Sequence, residues 1–367
     1  MRVLGLDIGG ANIKAATADG ASVCVPFEIW RRKDELETVL RALKLPGLEQ
    51  SPDVVALVMT AELADCFETK AEGVDFIVRT VQTVFDKSLI RVWLTSGEFA
   101  DPDDARELPI LVAASNWHAM ATWAGRAVPA GPALLIDVGS TTTDVIPLMD
   151  GVPVPQGLTD LERLASRELV YTGIWRTPVC AVVSDVPLLA DGSRSDLELN
   201  PSMRIPVAAE HFATMLDVHL LNGDLPEDSR RCDTADGRPA TRSCAASRLA
   251  HILCCDVTEL TPQQLGAMAK FIAEQQALMI SRAVQSCLDA LSRLVPSAKI
   301  KPAALVCGSG SWLAERVLEQ MGLSRFSSVS NLSSMFVRNI SDCAPAFAVA
   351  RLAAERCTDD LLPVSSL

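Results

Sequence analysis

Val3-Leu4-Gly5-Leu6-Asp7-Ile8-Gly9-Gly10-Ala11-Asn12-Ile13-Lys14 opens the chain, and Leu134-Leu135-Ile136-Asp137-Val138-Gly139-Ser140-Thr141-Thr142-Thr143-Asp144 repeats its design about 130 positions later. Each stretch is an apolar run ending in Asp, then one apolar residue, then Gly and small polar residues, then a second strand-forming run. Residues 2–8 and 12–18 read as two strands joined by Gly9 and Gly10. A second strand pair begins at residues 133–136 and continues from Thr143 to Leu148. A pattern repeated at this distance points to a duplicated unit, each copy opening one domain.

Outward from the first hairpin the element types alternate. Spacing predicts a helix over Lys33–Leu43, a strand over Val54–Met59, a helix over Ala71–Phe85 and strands over Ile90–Leu94 and Ile110–Ala113. A helix over Trp117–Arg126 follows, with Asn116 as its cap. After the second hairpin, residues 185–204 and 222–248 are rich in Asp, Ser, Arg, Gly and Pro and read as loops or insertions with short helices. Thr261-Pro262 is a helix start, and the apolar spacing from Leu265 to Leu294 predicts one long helix. A strand at Ala304–Cys307, a Gly308-Ser309-Gly310 turn, a helix at Trp312–Met321 and an Ala-rich helix at Ala344–Arg356 complete the chain. The expected division is a first domain of residues 1–132 plus 343–362 and a second of residues 133–342. Its insertions fall at about 185–204 and 222–248.

At 367 residues the chain is roughly twice the usual length of one domain, so two domains sharing a cleft are expected. The net charge of -13, with a pI near 4.8, argues against nucleic acid and anionic membranes as partners. Eleven cysteines, including the adjacent Cys254 and Cys255, do not form a spaced disulfide framework, which suits a reducing cytosol. The N-terminus runs directly into a strand carrying Asp7 and does not read as a signal peptide, and no uncharged apolar run has membrane-spanning length. A soluble cytoplasmic protein is expected, with the oligomeric state left open.

The chemistry concentrates on the hairpins. Asp7, Gly9, Gly10, Asn12 and Lys14 form a first candidate phosphate site. Glycines without side chains let backbone N–H groups reach phosphate oxygens beside a carboxylate, and Lys14 adds a point charge. Asp137, Gly139, Ser140, Thr141, Thr142, Thr143 and Asp144 supply a second, with hydroxyls beside two carboxylates. Hard oxygen ligands on such a turn suit Mg2+, for which Asp7, Asp137 and Asp144 are the candidates. The alternative is plain turns and an edge strand. Gly308-Ser309-Gly310 reads either as a structural turn or as a ligand turn at a helix N-terminus. Asp233 and Asp236 near Cys232, Cys244, His251, Cys254 and Cys255 invite a zinc reading. The spacing is not a known pair of hooks, and cysteines on an apolar helix such as Leu249–Val257 usually pack as small hydrophobes.

The order of Asp7-Ile8-Gly9-Gly10, Asp137-Val138-Gly139-Ser140-Thr141 and Gly308-Ser309-Gly310 resembles the two phosphate motifs and the adenosine motif of the actin and hexokinase superfamily. That resemblance implies two ribonuclease H-like α/β domains around a central cleft. More narrowly, Thr60-Ala61-Glu62-Leu63-Ala64-Asp65, Asn116-Trp117, Glu168-Leu169-Val170-Tyr171-Thr172-Gly173, Arg176-Thr177-Pro178 and Asp233-Thr234-Ala235-Asp236-Gly237-Arg238 resemble one family. It is the hydantoinase-like proteins linked to tetrahydromethanopterin C1 transfer and methanofuran biosynthesis.

The resemblance covers nearly the whole chain and implies a transferase that joins an aminomethylfuran-methyl diphosphate to a phenol, releasing diphosphate. The two hairpins then hold the leaving group. Glu62 and Asp65 are the candidates for removing the phenol proton, with solvent-facing acids at a strand end as the alternative. Lys14 and Arg176 are candidate anion clamps, Tyr171 a candidate stacking residue, and Asn116 a further substrate candidate; Trp117, Trp123 and Trp175 read as packing residues. Two other classes stay open: an ATP-dependent small-molecule kinase, if the Gly308 turn grips adenosine, and a non-enzymatic nucleotide-dependent scaffold.

Overall fold

The computed structural model describes residues 1–46, 51–188, 204–294, 301–332 and 341–356. The first unit is built on a sheet of strands β1 (Val3–Ile8), β2 (Asn12–Thr17), β3 (Ser22–Pro26), β4 (Val54–Met59), β5 (Leu89–Trp93) and β6 (Phe99–Ala100), in the order β3-β2-β1-β4-β5-β6. β1 and β4 are buried at every position, as strands covered on both faces must be. β1 and β2 form an antiparallel hairpin, whereas β4 and β5 run parallel to β1 and need crossovers. The first crossover contains the short helices α1 (Ile29–Arg32) and α2 (Leu36–Arg41); the second is α3 (Lys70–Val84). The Thr69 hydroxyl caps α3 by accepting from the Glu72 backbone N–H. Helices α4 (Pro102–Glu107), α5 (Pro109–Val112) and α6 (Asn116–Ala124) lead to the second unit.

There the same plan recurs. Strands β7 (Pro132–Val138) and β8 (Thr143–Met149) form the hairpin, extended by the short β9 (Val152–Pro153) and β10 (Leu169–Val170). A two-stranded ribbon, β11 (Asp185–Pro187) with β12 (Arg204–Pro206), stands apart from this sheet. β13 (Ala303–Cys307) and β14 (Val329–Asn331) run parallel to β7, giving the order β10-β8-β7-β13-β14. Helices α7 (Asp160–Ser166), α8 (Met215–Asn222), α9 (Arg242–His251), α10 (Pro262–Leu294) and α11 (Ser311–Met321) cover this sheet and its insertions. A hairpin followed by two parallel strands, built twice, is the layout of two actin- and hexokinase-like domains.

Helix α12 (Ala344–Arg356) and α6 lie together between the two sheets. Val349, Ala350, Leu352 and Ala353 pack with Val3, Val54 and Val58 of the first sheet, while Ala344 and Ala348 pack with Leu135, Ile146 and Leu305 of the second. A Cβ on Gly5 would lie 1.9 Å from the Ala346 carbonyl oxygen, so only glycine lets the helix rest on β1.

Three expectations need correction. Residues 110–113 are not a strand: Pro109 starts α5, and an apolar run of four cannot be told from a helical turn by periodicity. Asn116 is the first residue of α6 and not its cap; Ser115 holds that position without a capping bond. Leu249–Val257 is not one helix, because α9 ends at His251 and Cys254 adopts a left-handed φ of 57°. The first hairpin joins β1 and β2 where expected. Gly9 N–H donates to Asn12 O at 3.0 Å across the turn, and neither Gly9 nor Gly10 is in the left-handed region. Of the two expected insertions, residues 189–203 lie outside the described residues, as do residues 357–362 of the expected first domain.

Candidate active site

The two hairpins match in backbone detail. Gly9 N–H donates to Asn12 O at 3.0 Å, and Gly139 N–H donates to Thr142 O at 2.9 Å. Strand register then sets Lys14 opposite Asp7 and, at the equivalent place, Asp144 opposite Asp137. The hairpins therefore differ in charge where they are alike in shape. Lys14 Nζ lies 3.4 Å from Asp7 Oδ2, while Asp7 Oδ1 is buried and accepts no hydrogen bond. Burial pushes the Asp7 carboxyl above its usual range, against the pull of Lys14. Burial, the largest single influence, would lower Lys14, but Asp7, Cys24, Asp137 and Cys343 together outweigh it, so the ammonium is held above its usual value. That Asp137 acts on Lys14 brings the second hairpin within electrostatic reach of the first. Asp137 is pushed up to about 6, by burial first and then by Asp144.

Arg163 compensates the acidic hairpin. Its guanidinium is 1% exposed, donates to Asp144 Oδ1 at 2.7 Å and to Glu168 O at 3.2 Å, and sits 3.9 Å from the Trp117 ring centroid. The Gly308 turn supports the same strand end. A Cβ on Gly308, whose φ is 84°, would lie 2.3 Å from Asp137 Oδ1, and one on Gly310 would strike Val138 and Ile174. Gly310 N–H donates to Val138 O at 2.8 Å. Both glycines are thus accounted for by packing on β7. Ser309 between them is half-buried.

β4 pairs with β1 in parallel, which delivers residues 60–62 to the first turn. Thr60 N–H and Ala61 N–H both donate to Ile8 O, at 2.9 and 3.1 Å, and Thr60 Oγ1 lies 3.5 Å from where a Gly9 Cβ would be. Glu62 follows at once. It is 1% exposed, and its Oε2 has no hydrogen-bond partner. Burial raises its carboxyl to about 7, although its own and Ala114's backbone N–H groups and Lys70 oppose the shift. Ala114 holds φ at 50°, the left-handed region that non-glycine residues rarely adopt, at the turn that leads into α6. Asp160, at the start of α7 in the second unit, also acts on Glu62. Asp65, three residues on, is exposed.

The 168–178 segment locks onto the second turn. Ile174 N–H donates to Gly139 O, and Trp175 and Arg176 N–H donate to Ser140 O, at 3.0 to 3.1 Å. A Cβ on Gly173 would sit 2.5 Å from Thr141 N. Gln276 of α10 holds this segment from beneath, donating through Nε2 to Thr172 Oγ1 and Gly173 O, both at 2.9 Å. Gln276 Oε1 lies 2.9 Å from His219 Nε2, and His219 Nδ1 lies 2.9 Å from Asp224 Oδ2. Arg176 is exposed, and its guanidinium reaches 5.9 Å from the ring of Trp30 in the first unit. Tyr171 is 68% exposed and Asn116 half-buried.

The structure thus brings Asp7, Lys14, Asp137 and Asp144 within electrostatic reach of one another beside the two glycine turns, and sets Glu62 just past the Thr60–Ala61 contact with β1; it leaves Asp65, Arg176 and the Tyr171 ring on the surface. Arg163, Gln276 and Gly73 escaped sequence reading. Asp7, buried with one oxygen unpartnered, and the half-buried Asp137 fit Mg2+, which takes one or two carboxylates and keeps waters and phosphate oxygens for the rest. Among the described residues no three His, Cys, Asp or Glu side chains gather to hold a metal directly. In the region read for zinc, Asp233 pairs with Arg231, Asp236 pairs with Arg238 and Arg248, and His251 packs its ring against Phe212.

The sequence model described as hydantoinase/oxoprolinase matches residues 53–356. A protein of Methanocaldococcus jannaschii, (4-{4-[2-(gamma-L-glutamylamino)ethyl]phenoxymethyl}furan-2-yl)methanamine synthase, is 30% identical over 353 residues, covering 95% of this chain and 97% of that protein. A protein of the same name from Methanococcus vannielii is 26% identical over 219 residues, 60% of this chain and 89% of that one. A nucleotide-free acetone carboxylase overlays with a TM-score of 0.46 at 12% identity, covering 95% of this chain and 70% of that one. The fold described above rests on the sheet topology and not on this overlay. No helix among the described residues is long and apolar enough to cross a membrane.

Proposed function

This chain belongs to the hydantoinase/oxoprolinase family, and from that premise we propose that it is a synthase of methanofuran-type cofactor formation. In this reading it joins an aminomethylfuran-methyl diphosphate to a phenolic acceptor. Support for an enzyme of this kind comes from the shared activity of the two relatives, one of them matched along nearly its full length.

The observation that carries the chemistry is Glu62: a buried carboxyl with one free oxygen, raised to about 7, at the strand end beside the first hairpin. A group poised near neutral pH is what a general base requires. The phenol gives its proton to Glu62 as its oxygen bonds to the furan methylene. The bond from that methylene to the diphosphate oxygen breaks, and its electron pair leaves with the diphosphate. Backbone N–H groups of the two turns and the Lys14 ammonium stabilise the departing anion. Mg2+ held through Asp7 and Asp137 would neutralise further charge on the leaving group. Arg163 pairs with Asp144 and so limits repulsion between that carboxylate and the anion. Arg176 approaches the Trp30 ring across the units and is the further candidate to meet an anionic donor.

The test is to incubate purified protein, Mg2+, the diphosphate donor and a phenolic acceptor, and to follow ether product by mass spectrometry with diphosphate release in equal amount. Ether and diphosphate appearing together support the reading. Transfer of the ATP γ-phosphate to a hydroxyl compound would replace it with a kinase, and ATP binding without turnover would replace it with a scaffold.

A further inference from the structure

Behind the second turn lies a buried histidine that the reaction above does not use. His219 of α8 is fully buried, and both of its ring nitrogens meet oxygen: Nε2 lies 2.9 Å from Gln276 Oε1, and Nδ1 lies 2.9 Å from Asp224 Oδ2. The Gln276 amide cannot be turned the other way round. Its Nε2 faces Gly173 O at 2.9 Å, and a backbone carbonyl only accepts, so Nε2 donates there and to Thr172 Oγ1 while Oε1 is left facing the imidazole. Asp224 is equally committed. Arg316 of α11 donates to its Oδ1 at 2.6 Å and to its Oδ2 at 3.3 Å. Burial would raise the Asp224 carboxyl, but its bonds to His219 and Arg316 draw it down to about 2. Both nitrogens of His219 therefore face acceptors. A neutral imidazole has one N–H and one lone pair, and would press that lone pair against an oxygen 2.9 Å away. Trp312 of α11 meets the ring edge to face at 4.9 Å, and Asp217 of the same helix pairs with Arg248 of α9.

We propose that His219 is held as an imidazolium and is a positioning residue of the second turn, supplying from inside the domain the positive charge that this turn lacks. The inference rests on the reading of the turn as a diphosphate site. The first hairpin sets Lys14 opposite Asp7, whereas the second sets Asp144 opposite Asp137, two acids on a strand pair that is to receive an anion. Arg163 answers Asp144. Arg316, Asp224 and His219 together sum to one positive charge, with the imidazolium at the end that meets Gln276. From there the path to the turn is made of hydrogen bonds. Gln276 passes from His219 to Thr172 and Gly173; Thr172 O accepts from Thr143 Oγ1 at 2.8 Å, and Ile174 N–H donates to Gly139 O at 3.0 Å. By donating to Oε1, the imidazolium also fixes the amide in the orientation that holds Gly173. A ring protonated only on the Asp224 side would favour the flipped amide and set an oxygen against the Gly173 carbonyl. Charge and orientation thus act on the turn together, and a buried charge is little screened by solvent.

The experiment uses the full chain with isotopically labelled histidine, and inorganic diphosphate with Mg2+ as the probe. In the proton–nitrogen spectrum near neutral pH, the His219 ring, recognised by its contacts to Trp312, should show both nitrogens protonated. Calorimetry should give a diphosphate affinity on the order of tenfold weaker in His219→Gln, whose amide still donates to Gln276 but carries no charge. The gap between wild type and variant should close at the pH where the spectrum shows the ring losing its proton, a coincidence that a merely structural role would not produce. One unprotonated ring nitrogen at neutral pH would overturn the proposal, as would a gap that ignores the ring's titration. The spectrum is read on the wild type and decides whether or not the variant folds. Equal affinity in wild type and variant would overturn this inference alone. A wild type that does not bind diphosphate would overturn the reading of the turn and this inference with it.

Discussion

Gly73 of α3 touches the backbone of Glu62: a Cβ on Gly73 would lie 2.3 Å from the Glu62 carbonyl oxygen and 2.6 Å from its Cα. The helix behind the strand end thus fixes the segment that carries the buried carboxyl. By helix propensity alone, Gly73→Ala would gain about 1 kcal/mol. We expect the opposite sign, a loss of roughly 1–3 kcal/mol from overpacking against backbone that cannot yield, with turnover falling further than stability because Glu62 is displaced. Urea unfolding and steady-state kinetics on the same sample check this.

The second turn depends on Gln276. Replacing it by Leu strips hydrogen bonds from Thr172 Oγ1, Gly173 O and the His219 ring, all buried. Thr172 Oγ1 and Gly173 O keep a bond with Thr177 Oγ1, so His219 Nε2 is the buried group left unsatisfied, at a cost of about 1–3 kcal/mol. Gln276→Leu should therefore lower the melting temperature by several degrees and raise KM for the diphosphate donor. Thermal denaturation and a kinetic titration read the two effects separately.

Gly10 separates ligand binding from folding. A Cβ there meets nothing within 4 Å, and the backbone is not left-handed, so Gly10→Val should fold with near-normal stability. The branched side chain would instead occupy the space in front of the turn, where phosphate oxygens must approach. We expect at least a tenfold loss of diphosphate affinity, a cost of about 1.4 kcal/mol, by isothermal titration calorimetry. Undiminished affinity would make the hairpin a turn and nothing more.

Glu62 also has a signature in stability. Its folded value of about 7 exceeds the usual carboxyl value near 4.3, so between those limits the folded state binds more protons than the unfolded state. The stability tied to the protonated form is full below about pH 4 and is lost as pH rises through 7. Glu62→Gln lacks this loss. Relative to wild type, the variant should gain up to roughly 3 kcal/mol between pH 5 and pH 8, read from urea midpoints. A constant difference across that range would show that the carboxyl is not shifted.

Much of this site could be read from residues that announce themselves. The duplicated Asp-apolar-Gly turns gave both sheets, because a tight turn at a strand end needs small residues in fixed order. The buried run Val54–Met59 placed Glu62 just past a strand end beside the first hairpin. The residues that hold the site carry no such mark. Gln276 is one polar residue on the inner face of a 33-residue helix, and its partner Thr172 is 104 positions away. Arg163 reads as an ordinary helical charge until folding sets it on Trp117 and Asp144. Glu62 and Asp65 looked alike as acids at a strand end. Only the packing of α3 and the Ala114 turn buries one and leaves the other in water.

The central claim is that Glu62 removes the phenol proton while the two hairpins hold the departing diphosphate. Turnover of wild type and Glu62→Gln, with the diphosphate donor and a phenolic acceptor from pH 6 to pH 10, tests it most directly. The expected deficit is about 10²- to 10⁴-fold near neutral pH, the usual range for a lost general base. It should shrink toward pH 10, near the phenol's own pKa, where the acceptor ionises unaided. Full turnover of Glu62→Gln at neutral pH, or a deficit that stays flat to pH 10, would contradict it.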